Sequence, residues 1–299
     1  HNGMIHNTRG EYDQGLSNFF QVLSLLKMMD DPFLKAKVNN SIALIAGGLG
    51  DYEKGVEYCL KNVEIGTQLI EKKKADIKEV KRIENYLLAE CYKLWASMYN
   101  HMKESDEAIE YASKSRAIVQ ESKIMVLVCA NKVLIGRALL DKGDFDKATE
   151  YYNSALQDLQ ASPNVKLQAR ALAGLGACYT KQGNSEEGIK LMEQGLGITR
   201  EKQLLEDGKD IAIELSQIQA ANGNKDIAYD LLLEARELER QIKHGKTTKA
   251  LQERESSQII EHKEKEIELL HAIEQKHIEI QDSINYAQRI QAAFLPEEQ

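Results

Sequence analysis

GDFDKATEYYNSAL, residues Gly143–Leu156, is a pattern that the chain uses again and again. Its small residue Ala148 lies five positions after the Gly, and GDYEKGVEYCLKNV has Gly55 at the same place. Aligned in this way, small residues occur at positions 15, 55, 108, 148, 188 and 228, with spacings of 40, 53, 40, 40 and 40. Four equal spacings indicate a repeat protein in which each unit packs on its neighbours.

Each unit has the features of a helical hairpin. Apolar residues follow the marker at three- and four-residue spacing, as in Ala148, Tyr152 and Ala155, and form one buried stripe. A Gly followed by Asp or Asn ends one helix in a left-handed turn and caps the next. Such pairs are Gly50-Asp51, Gly143-Asp144, Gly183-Asn184 and Gly223-Asn224. The sequence therefore predicts an all-α superhelix of about six hairpins with a concave groove.

Two places depart from the period. The spacing of 53 leaves about 13 additional residues near Glu71–Arg82, and this charged run is typical of a longer, solvent-exposed helix pair. The first unit, around Gly15, lacks a convincing partner helix, so we expect it to be truncated or to cap the stack.

Composition narrows the function. The chain has 299 residues, 42% of them hydrophobic, with only three prolines, which favours helix. Its 47 acidic and 39 basic residues give a net charge of −8 without a basic stripe, so we expect no nucleic-acid partner. Cys59, Cys91, Cys129 and Cys178 form no CxxC pair and lie in apolar patterns. They are typical of buried thiols in a reducing compartment.

Membrane and catalytic signals are missing from the sequence. The longest apolar stretch, Ile124 to Leu140, contains charges and is shorter than the ~20 residues of a membrane span. No secretory signal precedes it, so we expect a cytoplasmic chain without a membrane partner. There is no HExxH, Walker loop, GxSxG or metal-ligand spacing of His with Cys or carboxylates. We expect no cofactor, no metal and no catalytic residue, and therefore a chain that binds and transmits.

The pattern resembles the tetratricopeptide repeat family over about residues 4–240. A spacing of 40 instead of ~34 resembles the subgroup found in bacterial peptide-sensing regulators. The resemblance implies that the first helix of each hairpin lines a concave groove that binds a peptide or protein. The matching positions are Trp95, Tyr99 and Ala108, and Leu175, Gly176, Tyr179 and Gly188.

Counting back from each turn places eight polar side chains in that groove. Lys and Arg in an apolar-walled concavity favour a carboxylate or an acidic peptide, although the same residues also suit a merely hydrated helix face. The two-carboxylate clamp of the family cannot be placed on this sequence, so chaperone C-termini are not expected. The candidates are Asn40, Lys93, Asn100, His101, Arg137, Arg170, Lys181 and Gln217.

The C-terminal part has a different pattern. Residues 248–294 contain no Gly or Pro and carry dense charges, which is typical of a coiled coil or of a single exposed helix. We predict a repeat domain over 1–245 and a long coiled-coil helix over 246–299 that forms a parallel homodimer. A phase shift near Glu264–Ile267 interrupts its heptads. The core positions are Leu270, Ile273, His277, Ile280, Ile284, Ala287, Gln291 and Phe294.

The last segment, DSINYAQRIQAAFLPEE (Asp282–Glu298), resembles the linker that precedes the catalytic domain in bacterial stage II sporulation protein E-like serine phosphatases. The resemblance implies the sensory half of such a phosphatase, and the start at His1 and the end at Gln299 lead us to expect a piece of a longer protein. A constitutive scaffold and the sensor half of a histidine kinase are the alternatives. The matching residues are Ile284, Tyr286, Ala287, Arg289, Ile290, Gln291, Leu295 and Pro296.

Overall fold

The computed structural model describes residues 31–73 and 76–243, and all regular structure in these ranges is helical. Successive helices form hairpins that stack in series, so the predicted all-α superhelix is confirmed. The helices are α1 Pro32–Leu49, α2 Tyr52–Lys73, α3 Ile77–Ile83, α4 Ala89–Met102, α5 Ser105–Glu121, α6 Met125–Lys142, α7 Phe145–Ala161, α8 Val165–Lys181, α9 Ser185–Glu201, α10 Leu205–Ala221 and α11 at 225–243.

The turns inside the hairpins have the predicted geometry. Gly50, Gly143, Gly183 and Gly223 have φ of 85°, 84°, 93° and 85°, the left-handed region in which a side chain is strained. The aspartates that follow then cap the next helix, since Asp51 accepts from the backbone N–H of Lys54 at 3.2 Å and Asp144 from that of Lys147 at 3.4 Å, whereas Asn184 makes no such bond. The Gly-Asp and Gly-Asn pairs therefore end one helix and start the next.

Small residues let the two helices of a hairpin approach closely. A Cβ atom added at Gly176 would lie 2.4 Å from the carbonyl oxygen of Gly188, and one added at Gly188 would lie 2.5 Å from that of Gly176. Helices α8 and α9 thus meet backbone to backbone. This is the physical reason for the recurring small residue in the sequence pattern.

Aromatic packing joins one hairpin to the next. Tyr152 of α7 is 1% exposed, and its ring lies against Gly136 of α6 and Gly174 of α8. Alanines such as Ala148 and Ala155 complete the same core. A hairpin therefore buries its apolar face only when its neighbour is present.

A buried polar chain ties three helices together. The Nδ2 of Asn131 in α6 donates to the Oγ of Ser115 in α5 at 2.8 Å, and that hydroxyl donates to the carbonyl oxygen of Ala89 at 2.7 Å. Asn131 and Ser115 are both 0% exposed. Because burial without such partners costs free energy, these bonds favour one arrangement of α4, α5 and α6.

The additional residues near Glu71–Arg82 lengthen two successive helices, as predicted. Helix α2 has 22 residues, and α3 continues through a π-helical turn, Glu84–Leu88, directly into α4. The charged side chains of Lys72, Lys78 and Lys81 are exposed.

Two properties inferred from composition concern the whole described part of the chain. All four cysteines are buried and free, as predicted. Between residues 31 and 243, leaving out 74 and 75, we find no helix with the length and apolar character needed to cross a membrane.

Several predictions lie outside the described residues. The chain divides into two units, 1–247 and 248–299, and every described residue belongs to the first. The unit around Gly15, the coiled coil with its dimer positions from Leu270 to Phe294, and the linker Asp282–Glu298 are therefore untested. The domain division at residue 245 also stays a prediction.

Candidate ligand-binding groove

The first helices of four successive hairpins, α4, α6, α8 and α10, line a cavity of about 480 Å³, which we call the groove cavity. Apolar side chains alternate with charged and amide groups along its wall. The residues that line the cavity include Asn100, His101, Lys103, Val133, Leu134, Arg137, Tyr152, Arg170, Asp207, Asp210, Ile211, Glu214 and Gln217.

Five of the eight predicted groove residues meet in this cavity. Asn100 and His101 come from α4, Arg137 from α6, Arg170 from α8 and Gln217 from α10. One helix from each of four hairpins thus contributes a polar side chain.

The other three lie elsewhere. Asn40 is at the contact of α1 with α2, where its Oδ1 accepts from the Nδ2 of Asn62 at 2.6 Å. Lys93 is half-buried and pairs with Glu90 on its own helix. Lys181 is exposed as the last residue of α8. These three side chains do not line the groove cavity, and their part in ligand binding stays a prediction.

Asn100 offers the cavity a buried hydrogen-bond acceptor. It is 9% exposed, and its Nδ2 donates to the carbonyl oxygen of Leu134 at 3.0 Å. Its Oδ1 is buried and has no partner among residues 31–73 and 76–243. A buried amide oxygen without a partner is costly.

Arg137 is tied to acidic residues on two helices. Its Nη1 lies 3.0 Å from Oε2 of Glu214 on α10, and its Nε lies 3.3 Å from Oδ2 of Asp141 on α6. Burial lowers the pKa of the Arg137 guanidinium, but the negative charges of Glu214 and Asp141 raise it by more. The net shift is upward, so Arg137 stays charged. Helix α8 packs between α6 and α10, and the pair Arg137–Glu214 therefore spans the groove.

Arg170 has a different partner. Its Nε donates to Oδ1 of Asp207, whose side chain is 4% exposed. The other carboxylate oxygen of Asp207 lies 3.4 Å from Nζ of Lys166. One buried carboxylate thus serves two cations.

His101 stands between the first and last described hairpins. Its ring stacks on Tyr52 of α2, with centroids 5.1 Å apart and planes inclined by 7°. The pKa of His101 is lowered, mainly by burial. The positive charges of Arg170 and Lys209 also lower it, and the negative charge of Asp210 opposes them. The imidazole is therefore neutral near pH 7.

The acidic side of the cavity was missed by the sequence reasoning. Asp207, Asp210 and Glu214 are spaced three and four residues apart, which places them on one face of α10. This spacing was a readable signal. In the described part of the chain, no group of three or more His, Cys, Asp or Glu side chains is arranged to bind a metal.

Comparisons with known proteins support the fold described above. The family model for the tetratricopeptide repeat matches residues 127–201, which span α6 to α9. A solved structure of a Rap protein complexed with competence and sporulation factor is 12% identical, with 81% of this chain and 74% of that chain covered and a TM-score of 0.61. The apo form of RapI is 17% identical, with 81% and 96% covered and a TM-score of 0.58.

A third solved structure, NprR in complex with its cognate peptide NprX, is 16% identical to this chain. The match covers 83% of this chain and 68% of the NprR chain, with a TM-score of 0.65. At these identities the likeness concerns the fold. The described residues form a tetratricopeptide-type superhelix.

Proposed function

We propose that this chain is a regulatory module that binds a short peptide, or a peptide segment of a protein, in the groove cavity. The observation that carries the proposal is the cavity itself, because its volume of about 480 Å³ falls in the range of ligand sites. It combines an apolar wall with a few convergent polar groups, the usual composition of such sites.

The polar groups suit a peptide in particular. The exposed Gln217 supplies both a donor and an acceptor, as a peptide backbone requires. Val133, Leu134 and Ile211 offer contacts to apolar side chains. The peptide bound to NprR supports the idea that this kind of superhelix can hold such a ligand.

The output of the module is the second part of the proposal. Binding would change the superhelix, and a dimeric coiled coil over 246–299 would pass the change to a serine/threonine phosphatase in a cytoplasmic bacterial signalling protein. The support for this part is the linker resemblance of Asp282–Glu298 and the heptads before it. Coupling requires that the ligand bind one state of the superhelix better than another. The chain itself would carry no catalytic site.

The test is selection of peptides from a random hexapeptide library by the full chain, read out by mass spectrometry. Gln217→Trp places a large ring in the cavity, and Gln160→Trp is the matched control because Gln160 is exposed on α7 and does not line the cavity. We expect the wild type and Q160W to retain the same peptides and Q217W to lose at least about tenfold in affinity, or about 1.4 kcal/mol.

Two results would contradict the proposal. A wild-type chain that retains no peptide would refute the peptide-binding function. Equal retention by Q217W and Q160W would place the binding site away from the groove cavity.

A further inference from the structure

We infer that the peptide presents a carboxylate to the groove cavity and that Arg170, positioned by Asp207, is the residue that binds it. The inference rests on the proposed function and adds the chemistry of the ligand. It distinguishes Arg170 from Arg137, although both arginines line the same cavity.

The hydrogen bonds of the two arginines differ. Arg137 donates through Nε to Asp141 and through Nη1 to both carboxylate oxygens of Glu214. Arg170 donates only through Nε, to Asp207, and within the described ranges its Nη1 and Nη2 have no hydrogen-bond partner. A guanidinium binds a carboxylate best with two parallel N–H groups, and Arg170 retains such a pair.

The local charges point the same way. Arg137 and Lys103 are balanced by Asp141 and Glu214, which leaves no excess charge around Arg137. Arg170 and Lys166 share only Asp207, and because Lys166 is 51% exposed and does not line the cavity, what the cavity wall presents here is the guanidinium of Arg170 with its Nη groups unpaired among the described residues. Arginine in a concave, partly desolvated place attracts a carboxylate more strongly than it does on an open surface.

An anionic ligand is also favoured over a cationic one. The remaining acidic residue of the wall, Asp210, is 59% exposed and already lies 3.3 Å from Nζ of Lys209. Screening by water makes such an exposed carboxylate a weak anchor. Among the described residues, the strongest unsatisfied feature of the cavity wall is therefore the pair of unbonded Nη groups of Arg170.

Asp207 explains how Arg170 is held. It lies in the first turn of α10, where the helix dipole favours a negative charge, and its side chain is almost fully buried. Its bond to Nε fixes the plane of the guanidinium, since Nε is part of that plane. Asp207 thus acts as a positioning residue, while Arg170 contacts the ligand.

The test uses two random hexapeptide libraries with the full chain. The first has free C-termini and includes Asp and Glu, and the second has amidated C-termini and lacks both residues. We expect the wild type to prefer the first library by at least about tenfold. Arg170→Gln should abolish the preference, and Arg170→Lys should keep part of it because the charge remains without the planar fork. Arg200→Gln, which removes an exposed arginine of α9 outside the cavity, should keep the preference.

A selected peptide then tests the role of Asp207. Asp207→Asn should weaken binding of the free-acid peptide and leave the weaker binding of its amidated, carboxylate-free form unchanged. A merely structural role would weaken both forms equally, and this result would overturn the assignment. Far-UV circular dichroism of each variant establishes that the helices are intact.

The outcomes separate this inference from the proposed function. If the wild type retains peptides from both libraries equally, or if R170Q keeps the preference, the carboxylate assignment is wrong while peptide binding stands. If the wild type retains no peptide from either library, the proposed function fails and the inference fails with it.

Discussion

The contact between the backbones of α8 and α9 predicts opposite effects for two chemically identical substitutions, Gly176→Ala and Gly197→Ala. Both glycines lie inside helices and have ordinary helical φ, so alanine gains about 1 kcal/mol of helix propensity at either position. A Cβ at Gly197 would meet nothing within 4 Å, so this variant keeps the whole gain. A Cβ at Gly176 would lie 2.4 Å from a carbonyl oxygen.

The magnitude for Gly176 follows from that distance. Ordinary contacts begin near 3.4 Å, so α8 and α9 must separate by about 1 Å, and a backbone carbonyl cannot rotate away as a side chain can. Overpacking of this kind costs about 1–3 kcal/mol. Because the propensity term is common to both variants, the overpacking cost is the difference between them.

The assay is thermal and urea unfolding followed by far-UV circular dichroism. For a domain of this size 1 kcal/mol corresponds to about 2–4 °C, so the two melting temperatures should differ by roughly 2–12 °C, with G197A above the wild type. If G176A unfolds at the same temperature as G197A, the helices do not meet in the way described. The account of the small residue in the repeat would then be wrong.

Two further variants test the interior and the groove. Asn131→Ala should lower the free energy of unfolding by about 1–3 kcal/mol in urea unfolding because it removes the donor to Ser115. The control Asn153→Ala, at an exposed position, should stay within about 0.5 kcal/mol of the wild type. Equal effects of the two variants would show that the buried bond contributes nothing. For His101, burial lowers the pKa below its ordinary 6.5 in the folded state, so the unfolded state binds the proton more readily. The free energy of unfolding should therefore fall as the pH drops through about 6.5. Between about pH 7.5 and about pH 5.5, the melting temperature of His101→Gln should fall less than that of the wild type. Identical slopes of melting temperature against pH would contradict the lowered pKa.

The repeat and its turns could be predicted from the sequence because they depend on local rules. The left-handed turn at position 143 favours glycine, and the close helix contact at position 148 favours a small residue such as alanine. Each requirement can therefore be recognised from the residue type at a single position. The long helices around residues 71–82 could be predicted for the same reason, since a charged run without Gly or Pro favours helix, although the place where α2 ends at Lys73 and α3 begins at Ile77 carries no such mark.

The groove was predictable only in part. Which stretch of each helix lines the cavity depends on how the hairpins stack, so counting from the turns also included Asn40, Lys93 and Lys181, which do not line it. The contact of Arg137 with Glu214 joins residues 77 positions apart. It depends on the curvature of the whole stack, which no local pattern records.

The bond between Arg137 and Glu214 also changes how the stack comes apart. In a solenoid each hairpin interacts with its immediate neighbours, and the ends unravel first. The ion pair between α6 and α10 couples two hairpins that are not immediate neighbours. We therefore expect the hairpins α6–α7, α8–α9 and α10–α11 to unfold together. Because the two groups are in contact and partly buried, salt screens them much less than exposed charges separated by more than a Debye length of about 8–10 Å, so the coupling should persist at physiological ionic strength.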